Sequence, residues 1–384
     1  MMERIELTSE RGAILIQAAV GSLVLIAFTM FVVDYGILWV SRHQAQNAVD
    51  AGAMAGAVAL AFDDFSDRSD TGPAKVSART FAQANDVWGE DPDVDVTTDI
   101  TFPPCPDDES NTCIRVDAYR NQARGNPLPV LFGLLVGLTE QGVRATATAQ
   151  AAAANASDCL KPWAVADKWE ENNPDPDGAW GPTATFDPRG PHPDVYVPPS
   201  PTNPGTGFTL AADLGTEFRL KVGNPHDTIN PGWFQALDLS QGYGGGASEY
   251  REYISGCAPY TWKIGDDIPK ENGNMVGPTS QGVNALIDLD LGADWDPVNE
   301  QVTGSAYPQS PRIVALPVFD LQQYLDTGGP GNGTVHVVNI LGFFVDRMQG
   351  NDVVGYLVTK PDLIAPGGSV PSEASFLKAI LLVR

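Results

Sequence analysis

Arg11–Ala61 reads RGAILIQAAVGSLVLIAFTMFVVDYGILWVSRHQAQNAVDAGAMAGAVALA, and the fold turns on how it is read. Ala13–Val33 is 21 residues without a charge, broken by polar side chains only at Gln17, Ser22 and Thr29. At 1.5 Å per residue a helix of that length spans roughly 30 Å, the hydrocarbon thickness of a bilayer. Past Asp34-Tyr35-Gly36 the apolar character runs on to Trp39-Val40, and Ser41-Arg42-His43-Gln44 closes it. From Ala45 to Ala61 the chain stays helical in pattern but turns to alanine and glycine. Ala48, Gly52 and Gly56 recur every fourth residue, the small-xxx-small spacing that lets two helix backbones approach closely. The stretch predicts one long helix, half in a membrane and half emerging from it, with those three residues as a packing seam.

The remaining sequence agrees with an exported chain. Its 384 residues suffice for an anchor and about two folded units. The 48 acidic and 23 basic residues give a net charge of −25, which argues against nucleic acid and anionic lipid headgroups as partners. The 39 glycines and 31 prolines favour short strands and turns over a helical bundle. The apolar run is longer than the core of a signal peptide and continues as helix, not as a cleavage site and loop, so a retained anchor is favoured. Four cysteines, Cys105, Cys113, Cys159 and Cys257, form no C-x-x-C. Of their three connectivities, Cys105–Cys113 across a polar loop with Cys159–Cys257 as a long-range staple is favoured; four thiols in a reducing compartment is the alternative.

Beyond the anchor, Ala74–Asn85 predicts a helix with Val76, Thr80, Phe81 and Ala84 on one side. Val94–Phe102 and Ile114–Tyr119 alternate and predict an antiparallel strand pair, and Gly142–Ala152 a third strand. Leu128–Leu138 is an apolar helix candidate, too short to span a bilayer and assigned to the core. Ten prolines between Asn173 and Pro204 block helix and central strand there. From Phe208 onward strand candidates recur at Glu217–Val222, Gln301–Gly304, Ile313–Phe319, Val335–Val345, Val353–Thr359 and Phe376–Val383, with one helix at Ser280–Asp288. The expected fold is α+β: a transmembrane anchor extended into a long helix in residues 1–62, a small α+β unit in 63–155, and a mostly β domain in 156–384 carrying the Pro-rich loop 173–204.

One string is more particular than these patterns. Arg11-Gly12-Ala13, the apolar span, Asp34-Tyr35-Gly36, Arg42 and then Gln44-Ala45-Gln46-Asn47-Ala48-Val49-Asp50-Ala51-Gly52-Ala53-Met54-Ala55-Gly56-Ala57 resembles the N-terminal region of TadG-like proteins of the tight-adherence (Flp) pilus system. The resemblance covers about 50 residues. It implies a single-pass component of the bacterial cytoplasmic membrane with its bulk extracytoplasmic. It further implies that other pilus assembly proteins or pilins are partners through the N-terminal helix. Gly12-Ala13 followed by Gln17 also resembles a prepilin processing site. The family pattern has Glu where Gln17 stands, which favours an uncleaved anchor. Many relatives carry a von Willebrand A domain, whose metal site needs D-x-S-x-S. Asp238-Leu239-Ser240-Gln241-Gly242 lacks the second serine, so that domain is not expected.

Candidate chemistry is sparse, and no catalytic residues or cofactor are assigned. Asn173, Asp175 and Asp177 place oxygens at alternate positions before Gly178, like the start of a calcium loop, but the twelfth position is Ala184 where a Glu belongs, so a solvated turn is favoured. His43, His192, His226 and His336 show no ligand spacing; His226-Asp227 follows Asn224-Pro225 in a turn. Ser375–Lys378 fits S-x-x-K by chance. Gly242–Gly246 lacks the strand and Lys-Ser/Thr of a phosphate loop, and marks a tight turn instead. Trp233-Phe234 and Tyr260-Thr261-Trp262 are either sugar- or partner-contacting aromatics or, as is commoner, core. The leading expectation is a non-enzymatic pilus assembly component. The alternative is a membrane-anchored surface enzyme or carbohydrate-binding protein with its site in residues 159–384.

Overall fold

No proline interrupts the chain from Glu10 to Phe62, and a helix that long satisfies its own backbone hydrogen bonds whether lipid or water surrounds it. The computed structural model describes residues 10–63, 66–105, 111–172, 180–222, 228–241, 245–271, 273, 275–327, 329 and 333–383, and there α1 runs unbroken over Glu10–Phe62. The chain divides into two compact units, one of Met1–Leu60, Asp64–Gln150 and Leu381–Arg384, the other of Ala61–Asp63 and Ala151–Ile380.

In the first unit, α1 changes character along its length. From Ile14 to Thr29 every residue is exposed. From Ile37 a buried stripe appears at Ile37, Ser41, Ala45, Ala48, Gly52 and Gly56, with steps of three and four residues. Its cover includes α2 (Pro73–Gln83), which starts with a proline in the first turn, where the missing N–H costs nothing. The buried face of α2 is Ala74, Lys75, Ala78 and Ala82. This corrects the expected face, since Val76 and Phe81 point to solvent. Only the alanines are thin enough to let α2 lie against the glycines of α1.

Three antiparallel strands complete this unit: β1 (Ile100–Thr101), β2 (Cys113–Arg120) and β3 (Val143–Ala153), with Ile100 opposite Val116 and Val116 opposite Ala147. In β3 the buried Val143, Ala145, Ala147 and Ala149 alternate with Arg144, Thr146 and Thr148, as the sequence predicts. The expected strand at Val94–Phe102 shrinks to Ile100–Thr101. Asp95 accepts hydrogen bonds from the Thr97 and Thr98 N–H groups, and Asp99 accepts one from the Asp95 N–H, which folds the preceding segment into an Asx turn. Leu128–Leu138 is not a buried helix. It holds a 3-10 turn at Gly133–Val136, and Leu131, Leu134 and Leu138 are exposed.

The second unit contains β4 (Ala156–Ser157), β5 (Trp163–Ala166), α3 (Leu210–Asp213), β6 (Glu217–Val222), β7 (Trp233–Ala236), α4 (Ala247–Ser255), β8 (Trp262–Lys263), β9 (Asp267–Pro269), α5 (Val276–Asp288), β10 (Asp294–Asp296), β11 (Gln301–Thr303), β12 (Ile313–Phe319), α6 (Leu321–Asp326), β13 (Thr334–Gln349), β14 (Asp352–Val358), β15 (Lys360–Pro361) and β16 (Leu377–Val383). Six of these strands close on themselves in the order β12-β5-β7-β6-β14-β13 and back to β12, a small barrel with β9 added on β13. Two pairings, β12–β5 and β6–β7, are parallel and the others in the ring antiparallel. Register shifts at Val318/Phe319 and Val345/Arg347 supply the local bends that closure needs.

Alternate residues of all six strands meet in one cluster, including Trp163, Phe218, Phe234, Leu316, Phe343 and Leu357. Tyr250 of α4 and Val283 of α5 join it, and the Trp163 indole N–H donates to the Tyr250 hydroxyl, itself bonded to Thr279. The described part of the Pro-rich segment is irregular, as expected, yet not a free excursion. Ala184 and Phe186 are buried and Tyr196 packs on the same aromatic group.

Candidate functional site

The two halves of α1 differ, and the N-terminal half is the exposed one. One helix in the described chain is long and apolar enough to cross a membrane, and it is this one, with none of its apolar window covered by protein. Where the apolar run ends, four rings follow one another at four-residue intervals: Phe31 stacks on Tyr35 at 5.7 Å, Tyr35 lies tilted to Trp39 at 6.4 Å, and Trp39 meets His43 edge-on at 5.0 Å between centroids. Tyr and Trp combine an apolar body with a polar tip, and such rings concentrate at the membrane–water boundary. The i, i+4 spacing of Phe31, Tyr35, Trp39 and His43 is the signal in the sequence by which this ladder can be found.

Asp34 is the first charge after the apolar run. Its carboxylate accepts three backbone N–H groups, from Leu131 (3.0 Å), Phe132 (3.0 Å) and Gly133 (2.5 Å). Nothing in the sequence links Asp34 to a segment about a hundred residues on; only the fold brings them together.

The small-residue seam meets a helix of its own chain. A Cβ on Gly52 would lie 2.7 Å from the Ala78 carbonyl oxygen and 2.8 Å from the Ala82 Cβ; one on Gly56 would lie 2.6 Å from Ile114 Cδ1 and 3.0 Å from the Ala78 Cβ. Ala48 is fully buried on the same stripe. The face left open carries Trp39, His43, Asn47, Met54 and Val58. Beside it an open groove is lined by Gln46, Asp50, Arg115 and Thr146, where Gln46 donates to Asp50 and to the Thr146 carbonyl. Of the processing candidates, Gly12 and Ala13 lie in the first turn of α1, and Gln17 is exposed on the same helix.

The cysteines pair as Cys105–Cys113 and Cys159–Cys257, with Cα atoms 5.3 and 4.6 Å apart. Lys161 lies beside the second bridge. Its ammonium donates to the Gly256 (2.5 Å) and Tyr253 (3.3 Å) carbonyls, which α4 leaves unpaired at its C-terminus. Burial among neutral groups, with Lys360 nearby, pulls its pKa down to about 7. At the other end of β5, Asp167 is buried and bonded by the Lys168 N–H and the Tyr196 hydroxyl, and burial raises its pKa to about 7. Neither residue is among the candidates the sequence patterns single out. Their signal was a lysine and an aspartate bracketing a short apolar strand.

Asn173, Asp175, Asp177 and His226-Asp227 lie outside the described residues. Among the described residues no three His, Cys, Asp or Glu side chains gather where a metal ion could sit. Asp238 accepts from the Ser240 N–H and hydroxyl, a closed local turn. His336 pairs with Asp267 across β13 and β9 at 3.0 Å, and His192 is solvent-exposed. Ser375 and Lys378 are both buried and donate to backbone carbonyls, of Leu377 and Ser372 respectively, so the S-x-x-K string is structural. Trp233, Phe234 and Trp262 are buried, and Tyr260 is half-buried against the same core.

Residues 12–59 match the family model of Flp pilus-assembly TadE/G-like proteins, the same stretch on which the sequence resemblance rests. No curated protein and no solved structure matches the chain.

Proposed function

We propose that this protein is a membrane-anchored assembly component, or minor pilin-like subunit, of a Tad/Flp-type pilus. In this reading α1 holds it in the cytoplasmic membrane as a single pass, and the two folded units work on the outer side. The observation that carries the reading is the coincidence, in one helix, of the family match at residues 12–59 with a lipid-ready half and a half built for helix packing. The two cysteine pairs support an oxidising compartment for the units. Because the glycine seam is filled by α2, the surface offered to pilus partners is the opposite face of α1, at Asn47, Met54 and Val58. It is a shallow, mostly apolar helix face of the kind that helical fibres bury.

The test is a pull-down from the native envelope in mild detergent, comparing wild type with a Met54→Lys, Val58→Lys double variant. Pilus components should come down with wild type and be lost from the variant, while the variant keeps both disulfides and its circular dichroism. Wild-type protein that brings down no pilus component refutes the assembly role.

A further inference from the structure

The segment Leu128–Leu138, LPVLFGLLVGL, is the most apolar stretch outside α1. Leu128 is buried at its base, but Leu131, Leu134 and Leu138 are 55, 57 and 60% exposed. Exposed leucines at this density call for a cover.

The loop is nonetheless tightly defined. Its base is closed by the Leu128 N–H donating to the Gln141 carbonyl (3.0 Å) and by the Gln141 amide donating to the Pro129 carbonyl. Its turn is closed by the Leu138 N–H on the Gly133 carbonyl (2.9 Å), with Gly137 at φ 83° in the left-handed region that glycine favours. At its tip the Leu131, Phe132 and Gly133 N–H groups all end on Asp34. A Cβ on Gly133 would stand 2.8 Å from Val130 Cγ1, so the backbone there admits only glycine without adjustment.

Three observations identify the cover. Asp34 immediately follows the charge-free run of α1, so the loop is pinned at the level where that helix leaves the hydrocarbon. The Phe31–His43 ladder marks the same boundary. Residues Pro127–Thr139 carry no charge in a chain of net charge −25, so the contact gains nothing from headgroup charge and is apolar. An irregular backbone is tolerated near hydrocarbon only where its polar groups are already bonded, and here Asp34 and the turn bond the N–H groups of residues 131–133, 137 and 138.

We propose that Leu128–Leu138 is a membrane-dipping loop that inserts Leu131, Leu134 and Leu138 into the leaflet from which α1 emerges, with Asp34 as the clasp that ties the loop to the helix. The inference rests on the reading of α1 as a membrane anchor. Its consequence is a second attachment point, which fixes how the first unit stands on the bilayer.

The test uses the full chain in phosphatidylcholine–phosphatidylglycerol proteoliposomes, with single cysteines carrying a nitroxide at Leu134, at Leu25 within the span, and at the exposed Val76 on α2. Collision with oxygen, which concentrates in lipid, is compared with collision with a water-soluble nickel chelate by electron paramagnetic resonance. The Leu134 label should favour oxygen several-fold over the Val76 label and approach the Leu25 label, at low and at high salt alike. Asp34→Ala should lower that preference at Leu134 several-fold and leave Leu25 unchanged. A Leu134 label that behaves like Val76, or that is shielded from both reagents, overturns the loop proposal while Leu25 still reports an anchor. If Leu25 also behaves like Val76, the anchor reading falls and the loop proposal with it. An Asp34→Ala variant that leaves Leu134 in lipid overturns the clasp.

Discussion

The two units solve the packing problem with opposite materials. In the first, the interior is largely alanine: Ala48, Ala53 and Ala57 on α1, Ala74, Ala78 and Ala82 on α2, Ala145, Ala147 and Ala149 on β3. In the second, the largest fully buried side chains include Trp163, Phe208, Phe234, Phe319, Phe343 and Phe376. Small residues bury little area each and stabilise by letting backbones come close; large rings bury much and stabilise by filling volume. Glycine serves both. Gly52 admits a helix, whereas Gly355 admits both a strand backbone and a ring, since a Cβ there would run into the Phe344 carbonyl oxygen and meet Phe343 Cζ at 2.6 Å. The first unit is thus vulnerable to enlargement and the second to truncation.

Buried charges are paired in both units, in the second as Lys168 with Asp213 at 2.7 Å and Lys360 with Asp362 at 2.6 Å, but the second also holds two that rest on neutral hydrogen-bond partners. In the first, Lys75 pairs with Asp70 at 2.8 Å, Asp99 with Arg124 at 2.6 Å and Asp117 with Arg144 at 3.0 Å. In the second, Lys161 and Asp167 are met by carbonyls, a backbone N–H and a tyrosine hydroxyl. Burial acts to raise the Asp117 pKa, but hydrogen bonds from Arg144, Thr146 and Arg115 outweigh it and hold the carboxyl below its usual range. Asp167 is held instead by backbone N–H groups and the Tyr196 hydroxyl, and there burial prevails.

The contrast can be broken most sharply at Phe343. Phe343→Ala opens a cavity in the barrel and should cost about 3–5 kcal/mol, read as a lowered denaturation midpoint of the second unit. A loss under about 1 kcal/mol would mean that the barrel interior is not packed around that ring.

Next comes the pH response, in detergent-solubilised protein. Asp167 has a folded pKa of about 7 against an ordinary value of 3.8, so its contribution to stability is full below pH 3.8 and is lost as pH rises to about 7. Lys161 falls from 10.5 to about 7, so its contribution is present above pH 10.5 and is lost as pH falls to about 7. The second unit should therefore be least stable near neutral pH, by about 2–4 kcal/mol. Asp167→Asn should flatten the acidic limb and Lys161→Met the basic one. Asp117, with its depressed pKa, costs the first unit stability only below about pH 3.8, an opposite response to acid. Identical pH profiles for wild type and Asp167→Asn would show that this carboxyl is not protonated on burial.

The smallest effect sharpens the comparison within α1 itself. Gly52→Ala should destabilise by about 1–3 kcal/mol through overpacking on Ala78 and Ala82, despite alanine's better helix propensity. Gly36→Ala meets nothing within 4 Å and should gain about 0.5–1 kcal/mol. Equal shifts in thermal midpoint for the two would deny that the seam is a contact.

Local chemistry was legible wherever one segment decides its own state. The long N-terminal helix ends within a residue or so of its expected bounds because charge, proline and apolar length are local quantities. Glu217–Val222 and Ile313–Phe319 appear as expected, since alternation and turn residues bound them. Trp233–Ala236 was overlooked as a strand because four residues are too few to show a period. Leu128–Leu138 was assigned to the core because apolarity states that a cover is needed but not which cover.

By itself, then, the sequence determined the long charge-free helix, the small-residue seam, the alternating strands, a favoured pairing among three for the cysteines and the resemblance of residues 11–57 to a pilus-assembly helix. Each is written in composition or in a period of two, three or four residues. Tertiary structure alone decided that α2 fills the seam, that six strands close into a barrel, that Asp34 holds a loop about a hundred residues away, and that Lys161 and Asp167 sit among neutral groups. The physical reason is distance along the chain. These outcomes depend on which surfaces meet, and packing, not local pattern, selects the partners.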